Sequence, residues 1–165
     1  KTEELWQENC WIGHVNPSPT KPDLLTFCHE GPWNLVDHRI WVMDTKDCKP
    51  YPIRKRKAEG EKIGHEYWFA NGEQIGYQVH TPDHRSYFGF VRYDGTGEVE
   101  APCVPFPSPD HIHSNDFRLI VSDTMEQTLT APGYSACMTA ASSMEAIIPI
   151  RDSQPMENRS CLTAM

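Results

Sequence analysis

Three histidines set the period of this chain. Gly13-His14 leads through a turn to Leu24-Leu25-Thr26-Phe27, Gly64-His65 leads through Asn71-Gly72 to Ile75-Gly76-Tyr77, and Asp110-His111 leads through Asn115-Asp116 to Leu119-Ile120-Val121. The separations are 51 residues from His14 to His65 and 46 from His65 to His111. Each unit reads as histidine, turn and buried strand, and the first two add an outer strand and a charged turn. That is the length and content of a β-propeller blade, with about four strands per unit. The repeat carries a geometric consequence. Residues opening the inner strands of successive blades face one channel, so His14, His65 and His111 are predicted to converge although they lie far apart in sequence.

The rest of the chain agrees with an all-β fold. Ten glycines and 14 prolines punctuate it, and helical periodicity is hard to find. Short alternating or apolar runs bounded by turn residues predict strands over residues 24–28, 39–43, 75–79, 86–93 and 119–123. Asn71-Gly72 is the strongest hairpin signal among the turns. About two and a half propeller blades are therefore expected, with residues 1–123 as a partial propeller. Residues 124–165 are rich in Thr, Ser, Ala and Met, with one candidate strand over 146–150. That stretch lacks the repeating pattern and is read as an aberrant or truncated C-terminal segment.

Composition limits the partners. Lys and Arg number 15 against 23 Asp and Glu, a net charge of −8. That balance argues against nucleic acid and anionic membranes, which call for a basic field. The basic run Ile53-Arg54-Lys55-Arg56-Lys57 is read as a solvated loop or strand edge rather than an anion site. Six scattered cysteines without a Cys-x-x-Cys pair fit reduced thiols in a cytoplasmic protein. No apolar run approaches the roughly 20 residues that span a bilayer, and no signal peptide is visible.

The chemistry-bearing residues gather between His29 and Trp68. His29-Glu30-Gly31-Pro32-Trp33 and Gly64-His65-Glu66-Tyr67-Trp68 flank Asp37-His38-Arg39-Ile40-Trp41, which puts a guanidinium at the head of an apolar strand. Imidazole, guanidinium and aromatic rings on neighbouring strand ends suit an anionic, ring-shaped ligand such as an acidic sugar. The competing interpretation is that these are polar strand-end residues satisfying local backbone groups. Glu30 and Glu66 are either groups that orient an imidazole or simply exposed. His14, His38, His80 and His84 are taken as structural.

In order and spacing, these motifs resemble the oligogalacturonide lyases, and the resemblance covers about residues 13–123. It implies a seven-bladed propeller that splits short oligogalacturonates, including digalacturonate, by manganese-dependent β-elimination, of which this chain, beginning at Lys1, is a portion. Matched residue by residue, His65 is similar to the family's base, which abstracts the C5 proton. His111, followed by Ile112-His113-Ser114-Asn115, is similar to its first metal-ligating histidine, manganese being the implied ion and another divalent metal an alternative. Arg39 and His29 match substrate-binding positions, and Trp68 matches the pocket wall. The family's remaining ligands come from a Gln-x-x-His-x-His motif that does not occur after Asp123, and His113 is a doubtful substitute. The portion alone is therefore not expected to be a competent lyase. The rival interpretations are a non-catalytic propeller module of the periplasmic translocation type, binding proteins through its channel, and a metal-dependent hydrolase on the same scaffold.

Overall fold

The computed structural model describes residues 1–103, 109–116, 119–124 and 146–149. All of the regular structure among them is antiparallel β. The first sheet is a four-stranded meander of β1 (Trp11–Pro17), β2 (Leu24–Glu30), β3 (Ile40–Asp44) and β4 (Tyr51–Arg54). The second repeats it with β5 (Lys62–Trp68), β6 (Gln74–His80), β7 (Ser86–Arg92) and β8 (Val99–Pro102). A third sheet has the order β11-β10-β9, from β9 (Pro109–Ser114), β10 (Leu119–Thr124) and β11 (Ala146–Pro149). Sequential four-stranded meanders are propeller blades. The candidate strand expected over 146–150 is β11, which pairs with β10. The remainder of the expected C-terminal segment lies outside the described residues.

Blades bury their faces against one another. Leu24, Ile40, Val42 and Ile53 of the first sheet meet Ile63, Trp68, Ile75, Tyr77, Val79 and Val91 of the second in one core. Phe69, Phe88 and Cys103 meet Ile112 and Ile120 in the next. Each such side chain contributes roughly 1.5–3 kcal/mol by leaving water. The turn at Asn71-Gly72 adds a polar joint, because Thr20 Oγ1 donates to the Asn71 carbonyl at 2.8 Å and Ser18 Oγ to the Gly72 carbonyl at 2.9 Å. Gly72 has φ +67° and a Cβ there would collide with the Thr20 hydroxyl, so both the turn and the joint require glycine.

The basic run is not solvated throughout. Arg54 has no exposed side-chain surface. Its guanidinium bonds Glu61 at 2.7 and 2.8 Å and Glu100 at 2.7 and 3.2 Å, with the Lys55 carbonyl at 2.7 Å. Lys57 reinforces it by pairing with Glu98 at 2.5 Å and Glu100 at 2.9 Å. Arg54 ends β4 and Glu100 lies in β8, so the last strands of two blades are clamped by charge.

Candidate active site

The period histidines lie on β1, β5 and β9, which are edge strands of their sheets. They do not open those strands, as the repeat suggested, but sit within them, because each strand carries a bulge. Gly13 pairs with Cys28 and Asn16 with Thr26, which leaves His14 and Val15 opposite Phe27 alone. Gly64 pairs with Gln78 and Tyr67 with Gly76, which leaves His65 and Glu66 opposite Tyr77. On β9 the register slips between the Ile112–Ser122 and Pro109–Thr124 pairs, and His111 falls in the gap. A bulge re-aims the residue it carries. His14 and His65 adopt nearly the same left-handed backbone, φ 49° and 54°. Left-handed conformation in a non-glycine residue costs on the order of 1–3 kcal/mol and tends to occur at functional sites.

The bulges bring two expected residues together. The rings of His65 and His111 meet edge to face across the boundary between the second and third blades, centroids 4.9 Å apart. Two residues further along each strand, Tyr67 and His113 repeat the contact at 4.8 Å. His111 and His113 are exposed.

Next to this pair, at the boundary of the first two blades, lies a polar network. His14 presents one ring nitrogen to Glu30 and the other to Glu66, both at 3.1 Å. Glu66 has no exposed side-chain surface, so it is a buried orienting group and not a surface carboxylate. Arg39 Nη2 reaches the same two carboxylates at 3.6 and 3.5 Å, and its guanidinium lies 5.5 Å above the Trp33 ring. These contacts are long. Arg39 Nε and Glu66 Oε2 are buried and have no hydrogen-bond partner among the described residues. The Cys28 thiol completes the cluster, its pKa pushed well up by burial and by the Glu66 carboxylate. Arg39 therefore contacts the residue that follows His65, through long contacts that leave room for a further carboxylate.

Two expected site residues are elsewhere. Trp68 is buried in the core between the blades, and its indole N–H donates to the Asn16 carbonyl at 2.9 Å. It packs the blades together. His29 alternates with Cys28 and Glu30 along β2 and so faces away from Arg39. Its ring stacks on Trp41 at 4.4 Å, and its Nδ1 is 2.9 Å from Asp37. His14, read from sequence as structural, bridges two blades. Its match to His65 in the repeat was the signal for its place.

Antiparallel blades with histidine-bearing bulges on their edge strands define this molecule as a β-propeller. The chain belongs to the oligogalacturonate lyase family, whose family model matches residues 1–133. It is 33% identical over 129 residues to an oligogalacturonide lyase of Pectobacterium atrosepticum, covering 74% of this chain and 31% of that protein. It is 31% identical over 120 residues to an oligogalacturonate lyase of Dickeya dadantii, covering 72% of this chain and 30% of that one. Among solved structures, an oligogalacturonate lyase in complex with manganese superposes with a TM-score of 0.66 at 27% identity, over 74% of this chain and 32% of that one. The oligogalacturonate lyase of Vibrio parahaemolyticus gives 0.66 at 26% identity, over 77% and 33%. The chain thus spans about a third of the length of these relatives.

Proposed function

We propose that the protein carrying this chain is an oligogalacturonide lyase that cleaves short oligogalacturonates, digalacturonate among them, by β-elimination in pectin degradation. The observation that carries this reading is the meeting of His65 with His111 across two blades, 4.9 Å apart. A base and a metal ligand need that proximity, because both act on one uronate ring.

His65 is the base in this reading. Its bulge turns the imidazole out of the sheet, and an imidazole has a proton affinity suited to general base work near neutral pH. His65 takes the C5 proton, the C5–H electron pair becomes the C4–C5 double bond, and the C4–O bond breaks with its electrons leaving on the glycosidic oxygen. Arg39 supports the reading through a guanidinium whose contacts to Glu30 and Glu66 are long, so that it can also pair with a uronate carboxylate. Glu66 holds both His14 and Arg39 and so fixes the floor of the site. His29 and Trp68 support the reading from outside the pocket, His29 by stacking on Trp41 of β3 and Trp68 by packing between the blades.

The solved relative holds manganese, and His111 fits as one ligand for such an ion, being exposed and offering an imidazole nitrogen. Among the described residues no group of three close donors includes His111, so the chain supplies part of that coordination. A bound divalent cation, manganese or another, withdraws charge from the carboxylate and makes the C5 proton more acidic. A cytoplasmic location goes with this reading, as Cys10, Cys28, Cys48 and Cys103 are free thiols.

The test is ultraviolet absorbance. The complete protein that carries this chain, given digalacturonate and manganese, should produce an unsaturated uronate with rising absorbance. Saturated products would point to a hydrolase, and no turnover to a binding propeller.

A further inference from the structure

A second donor cluster lies where the segment before β1 meets the end of β2. Glu8, Cys10 and His29 each offer one donor atom, and these atoms lie within 4.8 Å of one another. Donors around a tetrahedral zinc ion with bonds of 2.0–2.3 Å stand roughly 3.5 Å apart, so a small closure of the segment before β1 completes the geometry. His29 is the fixed member. Its side chain is 9% exposed, and Glu8 Oε1 lies against its Nε2. On the other side of the ring, Asp37 Oδ1 is 2.9 Å from Nδ1. A carboxylate on one imidazole nitrogen sets the tautomer that presents the other nitrogen to a metal. Trp41 stacked at 4.4 Å holds the ring plane. An open cleft bounded by Asn9, Leu35 and Val36 gives access to the donors.

We propose that Glu8, Cys10 and His29 form a binding site for a zinc-type divalent cation, with Asp37 as the positioning residue behind His29. The donor set selects the ion. One thiolate, one imidazole and one carboxylate suit zinc or cobalt, whereas a manganese site is built mainly of oxygen and nitrogen donors. Thiolate and carboxylate together neutralise a divalent charge, and the open cleft leaves a fourth position for water. The Cys10 thiol, whose Sγ lies 3.0 Å from Glu8 Oε1, loses its proton when the ion binds, so affinity rises with pH. The comparable trio His14, Cys28 and Glu66 lacks this character, since Arg39 already lies 3.5 Å from the Glu66 carboxylate. An ion at the proposed site would also tie the segment before β1 to β2, and it does not depend on the lyase reading.

Cobalt titration of the chelator-treated protein tests this, because cobalt bound through sulfur shows a thiolate-to-metal charge-transfer band. The wild-type protein should develop that band at one equivalent. Cys10→Ser, at an exposed position, should fold normally and lose it, whereas Cys28→Ser and His111→Ala should keep it. Asp37→Asn should retain the band with affinity lowered about 10–100-fold. No band in the folded wild type, a band unchanged in Cys10→Ser, or unchanged affinity in Asp37→Asn would overturn the proposal.

Discussion

The boundary between the first two blades holds an arginine at each end, and the two are partnered very differently. At the outer end Arg54 is saturated, with nitrogens 2.7–3.2 Å from Glu61, Glu100 and the Lys55 carbonyl and Glu98 a further 3.4 Å away. At the inner end, among the described residues, Arg39 has long carboxylate contacts, 3.5 and 3.6 Å, and a buried Nε with no hydrogen-bond partner. Both are charged and largely enclosed. A guanidinium whose donors all have partners has nothing to offer a ligand and serves to join strands. One left short of acceptors next to two bulged histidines has capacity for an incoming carboxylate, and its incomplete satisfaction is a cost of order 1–3 kcal/mol that binding would relieve.

The sharpest way to break this comparison is at the inner end. His65→Ala in the complete protein is expected to lower kcat by about 10²–10⁴-fold, the range for a lost general base. Circular dichroism should show that the variant keeps the wild-type fold, because His65 belongs to neither hydrophobic core. Turnover within a few-fold of wild type would remove His65 from the chemistry.

Substitution at the outer end should do the opposite. Arg54→Ala leaves Glu61, Glu98 and Glu100 facing one another at a buried position, and losing one partner of a buried ion pair costs about 3–5 kcal/mol. Urea unfolding reads this directly, and kcat measured well below the unfolding midpoint should stay near wild type. A loss of kcat without loss of stability would show that the two ends are not separate devices.

Arg39→Lys sharpens the inner end by a smaller step. Lysine keeps the charge but cannot hold a carboxylate in two parallel hydrogen bonds or lie flat on Trp33. KM for digalacturonate should rise about tenfold, equivalent to about 1.4 kcal/mol, with kcat less affected. A change confined to kcat would mean that Arg39 acts on the reacting atoms and not on binding.

The same contrast explains what could be read from sequence. Strands β2, β3, β6, β7 and β10 are apolar or alternating between clear turns, and their predicted and observed ranges agree within a residue or two. The edge strands β1, β5 and β9 were hidden because a bulge inserts a residue and breaks the period of two on which strand recognition rests. The histidines within them were visible through the blade repeat, which reports equivalence but not side-chain direction. Arg54 was misread because a basic run looks solvated, and its partners Glu61 and Glu100 lie 7 and 46 residues away. Trp68 was misplaced for a similar reason, since an aromatic after a histidine motif looks the same in sequence whether it faces a pocket or the next blade.

The smallest effect concerns the acid sensitivity of the outer clamp. Burial pushes the Glu100 carboxyl up, but hydrogen bonds from Arg54 and Lys57, and their charges, outweigh it and hold the group below its usual value of 4.5. A carboxyl depressed by folding adds stability above its unfolded pKa, and that contribution is lost as pH falls through the folded pKa. Glu100→Gln removes the charge while keeping an oxygen to accept from Arg54. The variant should therefore be less stable than wild type near about pH 7, and the gap should close as the pH falls below the usual carboxyl value of 4.5 and through the depressed folded value. Because Glu100 is partly open to solvent, screening keeps the difference to roughly 1 kcal/mol or less, and added salt should shrink it further. Urea unfolding of both proteins across this range makes the measurement. A gap that stays constant with pH would assign the clamp's strength to hydrogen-bond geometry. A gap that widens in acid would contradict the depressed carboxyl, and with it the claim that the outer arginine is the fully satisfied one.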